Sequence, residues 1–391
     1  MCSSPQPRVK VHLACSASLP TPTVRSRPRL GARWRYVPVL IFLVIATGCT
    51  RRSPPAELPQ TQLIRGLTMG TSYAVKIPSF PEMPGLPTLA KAIDGELDRI
   101  NRQMSTYLSD SDISRFNQSR STDWIELPAE LVALVALSEE ISRQTDGRFD
   151  ITVKPLVDLW GFGASGPVDS PPTKDEIAET LHRVGWELIQ FRHEPPALRK
   201  RHPEVEIDLS GIAKGYAVDR VAEILDGYRV PAYFVEIGGE VRCKGQRTDG
   251  GPWRIGIERP DEDQRSVLEV LELNEGAVAT SGDYRNFFEH EGKRFQHTID
   301  PTTGYPVRDP VASASVVADQ CAWADAVATA MMALGAERAQ QLAQAKGWAV
   351  LLVLRNDNKL KTVRSGAFAR RFSDRVDAAD VERERGVESE R

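Results

Sequence analysis

Asp325 and Thr329 are the two residues whose spacing most directly suggests chemistry. They lie four residues apart in Ala322–Leu334, an alanine-rich apolar segment that predicts a buried α-helix. Residues at i and i+4 share one helix face, so the carboxylate and the hydroxyl would lie side by side. Mg²⁺ prefers such hard oxygen ligands and completes its shell with water and substrate phosphate. The same spacing is also common in ordinary surface pairs, which is the alternative.

The stretch Asp208–Asp219 reads Asp-Leu-Ser-Gly-Ile-Ala-Lys-Gly-Tyr-Ala-Val-Asp and is a second candidate. Alternating acidic and β-branched residues predict a strand over Glu204–Asp208, and apolar spacing predicts a helix over Gly215–Asp226. A turn containing Gly211 would join them. The helix start would offer unpaired N–H groups and a positive dipole to a phosphate, and Lys214 would add a cation. The glycines match neither the dinucleotide nor the P-loop fingerprint, so a tight turn with ordinary capping is the alternative.

His297 lies near the end of a predicted strand and is followed by the turn sequence Asp300-Pro-Thr-Thr-Gly304. Imidazole normally titrates near neutrality, so this histidine is suited to proton transfer. A solvent-facing histidine, or one that caps the core, is the alternative. The chain contains no Gly-x-Ser-x-Gly and no His-Glu-x-x-His sequence, so hydrolase triads and zinc peptidases are poorly supported.

The charge distribution argues against a nucleic-acid partner. Residues 1–48 carry seven basic residues and no acidic one, whereas the rest of the chain holds 43 basic and 53 acidic residues. The net charge of that larger part is −10 with histidine neutral. Nucleic-acid binders usually show the opposite balance, and we therefore set that class aside.

The elements that must position these residues are both helices and strands. An apolar stripe of Leu89, Ile93, Leu97, Ile100 and Met104 predicts one helix. A second helix should run from about Pro128 to Thr145 and stop at Asp146-Gly147, and Thr173 with Glu176 predicts a capping box. The charged, proline-containing segment Arg192–Pro203 predicts a surface loop. Predicted strands cover 232–237, 253–258, 267–273, 277–280, 294–299, 311–317, 348–354 and 359–363.

The amino terminus predicts a targeting segment. Five arginines between Arg25 and Arg35 precede Val37–Thr47, an apolar run with the length of a signal-peptide h-region and too short to span a bilayer comfortably. Ala46-Thr-Gly-Cys49 resembles the cleavage box of bacterial lipoproteins, in which the cysteine becomes the lipidated first residue. A plain secretory signal or a short membrane anchor is the alternative, and each of these places residues 50–391 outside the cytoplasm.

The predicted organisation has four parts. Residues 1–48 would be a signal peptide or N-terminal extension, 49–61 a lipidated terminus and tether, 62–372 one catalytic domain, and 373–391 a charged, disordered tail. In the oxidising compartment that this implies, Cys243 and Cys321 could form a disulfide if they lay close together.

Eight groups of residues, taken in order, resemble one family. They are Met69-Gly-Thr71; Ser105-Thr-Tyr107; Asp146–Thr152 with Trp160–Gly163; Asp208–Asp219; Ile237-Gly-Gly239; Thr280-Ser-Gly282 with Tyr284-Arg-Asn286; His297–Gly304; and Asp325–Thr329. Over about residues 62–372 the chain is similar to the ApbE family, the magnesium-dependent FAD:protein FMN transferases. The resemblance rests on all eight groups occurring in the same order.

The resemblance implies a set of site residues. FAD would be bound by Met69, Tyr107, Arg148, Phe149, Asp150, Asp208, Lys214 and Ile299. The backbone carbonyl of Gly211, with Asp325 and Thr329, would hold Mg²⁺, and His297 would be the base for the acceptor hydroxyl. Lys214 stands where other members can carry an acid, so its contribution should be secondary.

The resemblance also implies a fold and a reaction. The fold would be α+β, a T-fold-like arrangement of mixed sheets with packed helices. The family cleaves FAD at its pyrophosphate, attaches FMN to a threonine of a partner protein, typically in a membrane electron-transfer complex, and releases AMP. An FAD pyrophosphatase and a non-catalytic periplasmic flavin- or solute-binding lipoprotein are the alternatives, and the metal pair favours the enzyme. The predicted location is the periplasmic side of a bacterial membrane, with a lipid anchor at Cys49.

Overall fold

The structure, a computed structural model, describes residues 60–164, 166–260, 266–283, 287–291, 293–356 and 359–372. The predicted signal segment, Cys49 with most of its tether, the tail after residue 372 and Tyr284-Arg-Asn286 lie outside these residues. Within them, strands and helices both occur, and eight consecutive strands lie between residues 233 and 318.

Fifteen strands occur in the described ranges. They are β1 (Thr61–Thr68), β2 (Thr71–Pro78), β3 (Ile125–Glu126), β4 (Ile189–His193), β5 (Pro196–Lys200), β6 (Tyr233–Ile237), β7 (Glu240–Lys244), β8 (Trp253–Glu258), β9 (Val267–Leu273), β10 (Glu275–Gly282), β11 (Phe287–His290), β12 (Lys293–Gln296), β13 (Val311–Ala318), β14 (Ala349–Asn356) and β15 (Lys359–Arg364).

Nine α-helices occur in the same ranges. They are α1 (Leu86–Met104), α2 (Asp112–Gln118), α3 (Ala129–Gln144), α4 (Lys154–Leu159), α5 (Lys174–Leu181), α6 (Ala213–Gly227), α7 (Cys321–Leu334), α8 (Ala336–Lys346) and α9 (Gly366–Arg371). None of these helices combines the length and the apolar composition needed to cross a bilayer.

The main sheet has eight strands in the order β1-β2-β6-β7-β10-β13-β14-β15. Every neighbouring pair in it is antiparallel. Three small sheets, β3-β5-β4, β8-β9 and β11-β12, complete the described strands. Mixed helices and antiparallel sheets in one unit confirm the predicted α+β class.

The central strands of the main sheet bury both faces. In β10, Ala277 and Ala279 join the large core that contains α6 and α7, whereas Val278 between them joins a second core with β8, β9 and α9. Alternate residues of a strand lie on opposite faces, so this division follows from the pleat. The sheet therefore holds α6 and α7, the two helices with candidate site residues, against one face.

A third, smaller core lies beside the candidate histidine. Trp160 stacks on Phe295 of β12 with ring centroids 5.4 Å apart, and its Nε1 donates to the Gly304 carbonyl over 2.8 Å. Gly304 has φ +74°, and a Cβ there would lie 2.6 Å from Ile177 Cγ2. Only glycine fits this turn, which fixes the loop after His297 against the aromatic cluster.

Some local predictions are confirmed and others are wrong. The stripe from Leu89 to Met104 is buried in α1, and Thr173 with Glu176 forms the predicted capping box of α5. The loop predicted over Arg192–Pro203 is wrong, because Pro196–Lys200 forms β5 and pairs with β4. The basic residues of this segment favoured an exposed loop in the prediction. In the structure Lys200 is buried, because it donates to the carbonyls of Asn117 and Ser119.

The two cysteines in the described domain are free thiols. Cys243 lies in the core on the β8–β9 side of the sheet, and Cys321 lies in the core on the α6–α7 side. Each Sγ contacts a backbone carbonyl, that of Leu273 and that of Val241 respectively. They form no disulfide, and burial raises the pKa of both thiols.

Candidate active site

A cavity of about 380 Å³, here called the central cavity, lies where α6, α7, the end of β10 and the segment after β12 meet. Ten of the twelve predicted site residues line it. These are Arg148, Phe149, Asp150, Asp208, Gly211, Lys214, His297, Ile299, Asp325 and Thr329. They come from four separate stretches of sequence, so the fold assembles the predicted set in one place.

Met69 and Tyr107 are not among the residues that line the central cavity. Met69 has φ +49° and Gly70 φ +72°, so these two residues form the tight turn between β1 and β2. Tyr107 lies after α1 with 71 % of its surface exposed. Their predicted contacts with FAD stay predictions.

The approach to α6 differs from the predicted strand. Residues 205–209 are extended but belong to no sheet. The Asn117 side chain replaces a neighbouring strand: its Nδ2 donates to the Ile207 carbonyl and its Oδ1 accepts from the Ile207 amide, both over 2.8 Å. The amide of Asp208 donates to Ile151, and Asp208 Oδ1 accepts from the amide and hydroxyl of Ser210. These contacts set the turn at Gly211 just before α6 begins.

Helices α6 and α7 cap each other with carboxylates. Asp325 Oδ2 on α7 accepts from the Gly215 amide in the first turn of α6, over 3.0 Å. In return, Asp219 on α6 accepts from the amides of Cys321 and Ala322 at the start of α7, over 3.0 and 2.9 Å. A helix start favours such anionic acceptors, so the two helices fix each other's position.

Gly215 makes this close contact possible. A Cβ at this position would lie 2.3 Å from the carbonyl oxygen of Cys321 and 2.8 Å from the Cα of Ala322. Both are backbone atoms of α7, which cannot turn aside as a flexible side chain can. The glycine therefore decides how near the two helices approach.

Hard oxygen atoms gather where Asp325 and Thr329 line the cavity. Thr329 Oγ1 lies 3.2 Å from Ser281 Oγ, and a Cβ on Gly211 would lie 3.3 Å from Thr329 Oγ1. The Gly211 backbone therefore passes directly beside the threonine. Carboxylate, hydroxyl and carbonyl oxygens are the metal ligands that Mg²⁺ prefers, so Asp325, Thr329 and the Gly211 backbone fit that ion. Across the described ranges no three His, Cys, Asp or Glu side chains converge as a metal cluster.

Lys214 lies between two buried carboxylates. Its Nζ is 2.6 Å from Glu240 Oε1 and 3.9 Å from Asp325 Oδ1. Burial raises the pKa of Glu240 to about 7, with Lys214 opposing and Asp325 adding to the rise. Burial also raises the pKa of Asp325, against the opposing charge of Lys214. For Lys214 itself burial acts to lower the pKa, but the two carboxylates outweigh it and the pKa rises.

Asp150 lines the cavity, but both of its carboxylate oxygens accept hydrogen bonds from other groups of the protein. Its Oδ1 accepts from the amide and hydroxyl of Thr152, and its Oδ2 accepts from the Trp186 amide. These partners meet the need of a buried acid for hydrogen bonds. Burial nevertheless raises its pKa from 3.8 to about 6. Asp150 thus holds Thr152 and Trp186 in place beside the cavity.

Arg148 provides the second fixed cation of the cavity. It forms an ion pair with Asp300, in the turn that follows His297. Its Nε is buried with no hydrogen-bond partner in the described part of the chain. Asp300 therefore binds one part of the guanidinium, while the buried Nε–H group is available to donate to a bound anion.

His297 lines the cavity just beyond β12, next to Thr298 and Ile299. Its ring lies edge-on to Phe162, with the centroids 6.4 Å apart. Ile299 pairs with Pro306, and the Asp300 amide donates to Tyr305, which closes the following turn. An imidazole that packs against an aromatic ring and precedes a closed turn can serve as a positioned base.

Among the cavity residues outside the predicted set are two polar residues, Glu240 and Ser281. Glu240 directly follows the Gly238-Gly239 turn, and Ser281 lies within Thr280-Ser-Gly282, so both stand in or beside motifs that were recognised. The sequence signal for Glu240 is an acid directly after a glycine pair, at the start of a strand. Gly238 has φ +62°, and a Cβ there would lie 3.4 Å from Lys214 Cδ, so the turn brings Glu240 and Lys214 together.

Comparisons with known proteins agree on one family. Residues 69–352 match the ApbE family. The chain is 42 % identical over 333 residues to FAD:protein FMN transferase of Vibrio cholerae, an alignment that covers 85 % of this chain and 97 % of that one. It is 33 % identical over 337 residues to FAD:protein FMN transferase of Escherichia coli, which covers 85 % and 95 % respectively.

Solved structures agree as well. The flavin transferase ApbE from Vibrio cholerae superposes with a TM-score of 0.74 at 41 % identity, covering 80 % of this chain and 99 % of that one. The Pseudomonas stutzeri flavinyl transferase ApbE in its apo form gives 0.75 at 35 % identity, covering 81 % and 98 %. Sequence and fold are similar over almost the whole length of these relatives, and the chain therefore belongs to the ApbE family.

Proposed function

We propose that this protein is a magnesium-dependent FAD:protein FMN transferase that attaches FMN to a threonine hydroxyl of an acceptor protein. The observation that carries the proposal is the central cavity, where the start of α6, the Asp325–Thr329 oxygen pair and His297 face one volume. The relatives with which the chain shares up to 42 % identity are named for this transfer. These two lines of support are independent.

The reaction is a phosphoryl transfer. The threonine hydroxyl attacks the FMN-side phosphorus of FAD, a new phosphorus–oxygen bond forms, and the bond to the bridging pyrophosphate oxygen breaks. AMP leaves with that electron pair, and the hydroxyl proton passes to a base. Such a transfer asks the protein for alignment and charge neutralisation rather than covalent chemistry.

The charge of the cavity supports a role for a metal ion. Among the described residues, its lining contains four carboxylates, Asp150, Asp208, Glu240 and Asp325, and two cations, Arg148 and Lys214. A doubly charged pyrophosphate would meet a net negative wall. Gly211, Asp325 and Thr329 would hold Mg²⁺, which supplies charge neutralisation on the phosphate oxygens when bound.

The protein's own groups do the remaining work. Arg148, held by Asp300, offers its free Nε to a phosphate oxygen, and Phe149 and Ile299 give the flavin side apolar contact. His297 accepts the proton of the attacking hydroxyl. Asp208 and Asp150 keep the turn at Gly211 and the neighbouring wall in place through their bonds to Ser210, Thr152 and Trp186.

The acceptor and the location belong to the same proposal. A partner protein with an exposed threonine supplies the nucleophile, and a membrane electron-transfer subunit is the class we expect. A lipid anchor at Cys49 would hold the domain on the periplasmic side of the membrane, near such a subunit. The support is the sequence before residue 50, with its arginines, apolar run and Gly48-Cys49.

The test is an incubation of the purified protein with FAD, with Mg²⁺ or EDTA, and with or without a flavin-acceptor domain. We expect an FMN adduct on the acceptor by intact mass and AMP by chromatography, both only with Mg²⁺. Equal AMP release without acceptor would instead indicate an FAD pyrophosphatase. FAD binding without AMP release under any condition would indicate a flavin-binding protein and contradict the proposal.

A further inference from the structure

The buried cluster of Lys214, Glu240 and Asp325 has one cation and two anions. Both acidic residues are only 2 % exposed, and they come from β7 and α7, while Lys214 comes from the first turn of α6. The ammonium contacts Glu240 closely, at 2.6 Å, and Asp325 more loosely, at 3.9 Å. When both carboxyl groups are ionised, the cluster is therefore short of one positive charge.

A second observation, on Glu240, indicates that the cluster can bind a cation. Its Oε2 is buried and has no hydrogen-bond partner among the described residues, although the residue lines the central cavity. A buried carboxylate oxygen without a donor is costly unless a cation or a water binds it. The Lys214 side chain is held in its path by the Gly238-Gly239 turn, since a Cβ on Gly238 would lie 3.4 Å from Lys214 Cδ.

We propose that Lys214 is a built-in counter-cation that sets how tightly the site binds a divalent metal. It neutralises one of the two buried carboxylates, so the domain stays folded without metal, and its charge weakens metal binding beside Asp325. This makes Lys214 a positioning residue that acts through Glu240 and Asp325. The inference rests on the proposed function, since it takes Asp325 to be a metal ligand.

Electrostatics gives the direction of each effect. Removal of the ammonium leaves two carboxylates facing each other in a buried place, which destabilises the metal-free protein and increases its attraction for Mg²⁺. Removal of the Glu240 charge should stabilise the metal-free protein and weaken its attraction for Mg²⁺, because the Lys214 ammonium then interacts with Asp325 alone. Removal of both charges returns the cluster to the net charge of the wild type.

The experiment measures Mg²⁺ binding to the metal-free domain without FAD, by isothermal titration calorimetry and by the rise of the unfolding temperature with Mg²⁺. Lys214→Met should bind Mg²⁺ at least about tenfold more tightly than the wild type. It should also unfold at a lower temperature without metal and gain more from Mg²⁺. Lys214→Met/Glu240→Gln should return close to the wild type in both measurements.

Glu240→Gln alone keeps the inference testable if Lys214→Met does not fold, and it should bind Mg²⁺ more weakly than the wild type. Unchanged or weaker Mg²⁺ binding by Lys214→Met, or tighter binding by Glu240→Gln, would overturn the inference. Asp325→Asn separates the two proposals. If it loses Mg²⁺ binding while Lys214→Met behaves as the wild type, only the counter-cation role fails; if it binds Mg²⁺ normally, the metal site of the proposed function fails.

Discussion

The Gly215 amide donates to Asp325 Oδ2 over 3.0 Å, so the residue proposed to bind metal also caps the helix that follows the Gly211 turn. One carboxylate thus joins the two parts of the candidate site. A change at Asp325 will act on the metal and on the position of α6 together. Substitutions here must separate these two roles.

Asp325→Asn is the substitution that does so. Asparagine keeps an oxygen that can accept from Gly215 but loses the negative charge that favours Mg²⁺. We expect FMN transfer to fall by about two orders of magnitude or more, while the unfolding temperature stays near that of the wild type. Asp325→Ala would also leave the buried Gly215 amide unpaired, at a cost of roughly 1–3 kcal/mol in unfolding free energy.

Turnover at limiting Mg²⁺ and thermal unfolding check this prediction together. Lys214→Ala is the comparison, because it removes a charge from the same cluster without removing a proposed ligand. At saturating Mg²⁺ we expect it to lower transfer less than Asp325→Asn does, and at limiting Mg²⁺ its tighter metal binding should make the difference between the two variants larger. Wild-type transfer by Asp325→Asn at limiting Mg²⁺ would remove α7 from the metal site.

Gly215→Ala should destabilise the domain although alanine favours helices. The new Cβ would overlap the Cys321 carbonyl, 2.3 Å away, and push α7 from α6. We expect a loss of about 2–3 kcal/mol in unfolding free energy and weaker Mg²⁺ binding. Gly95→Ala, in the exposed middle of α1 with no atom within 4 Å of the new Cβ, is the control and should gain about 0.5–1 kcal/mol. A stabilised Gly215→Ala variant would disprove the close contact.

His297→Asn should keep FAD affinity and lose most FMN transfer. A positioned base is worth roughly two to four orders of magnitude in rate, because the threonine hydroxyl is a poor nucleophile while it keeps its proton. The wild-type rate should fall at acidic pH, where imidazole is protonated and cannot accept a proton. FAD binding by fluorescence and transfer rates across pH test both statements.

His193→Asn, in the small β4–β5 hairpin, is the matched control and should transfer FMN normally. Full transfer by His297→Asn with an unaltered pH profile would point to another base. Asp300, in the adjoining turn, and Asp283, directly after the Thr280-Ser-Gly282 motif, are the candidates. Asp300 is paired with Arg148 and Asp283 with Arg355, so each would have to leave an ion pair to accept the proton.

Asp150 should make stability depend on pH in the unusual direction for an aspartate. Its pKa is raised from 3.8 to about 6 in the folded protein, so the native state binds a proton more tightly than the unfolded chain does. Stability from this group is therefore greatest at low pH and falls as the pH rises from about 4 to about 6. The total change is roughly 3 kcal/mol.

Chemical unfolding of the wild type and of Asp150→Asn between about pH 4 and pH 7 isolates this contribution. The difference between the two proteins in unfolding free energy should shift against the wild type as the pH rises and level off above about pH 7. A difference that grows in favour of the wild type would mean that the hydrogen bonds to Thr152 and Trp186 outweigh burial.

Cys49→Ser tests the proposed anchor. If Cys49 is the lipidated first residue of the mature protein, the serine variant should leave the membrane fraction or stay as an uncleaved precursor. Intact mass of the wild type should show a lipidated terminus at Cys49. An unmodified Cys49 inside a longer chain would exclude the lipoprotein reading.

Sequence alone was sufficient for the local features. The α1 stripe, the α5 capping box, the helix with Asp325 and Thr329 on one face, and the turn at Gly211 depend on neighbours within a few residues. Periodicity and capping chemistry record such short-range relations directly. The wrong predictions concern distant contacts. Asn117 takes the place of a partner strand for residues 205–209, and the charged Lys200 of β5 is buried because it donates to the carbonyls of Asn117 and Ser119.

Only the tertiary structure decided how the site is held and charged. Asp219 caps α7 from 102 residues away in sequence, and Asp325 caps α6 across 110. The Lys214 ammonium donates to Glu240, which a glycine turn brings close to it. The Asp150 carboxylate accepts hydrogen bonds from Thr152 and Trp186. The sequence determined which residue types could do the chemistry, since those are properties of the side chains. Burial and partners determine charge and pKa, and they exist only once α6, α7 and the main sheet pack together.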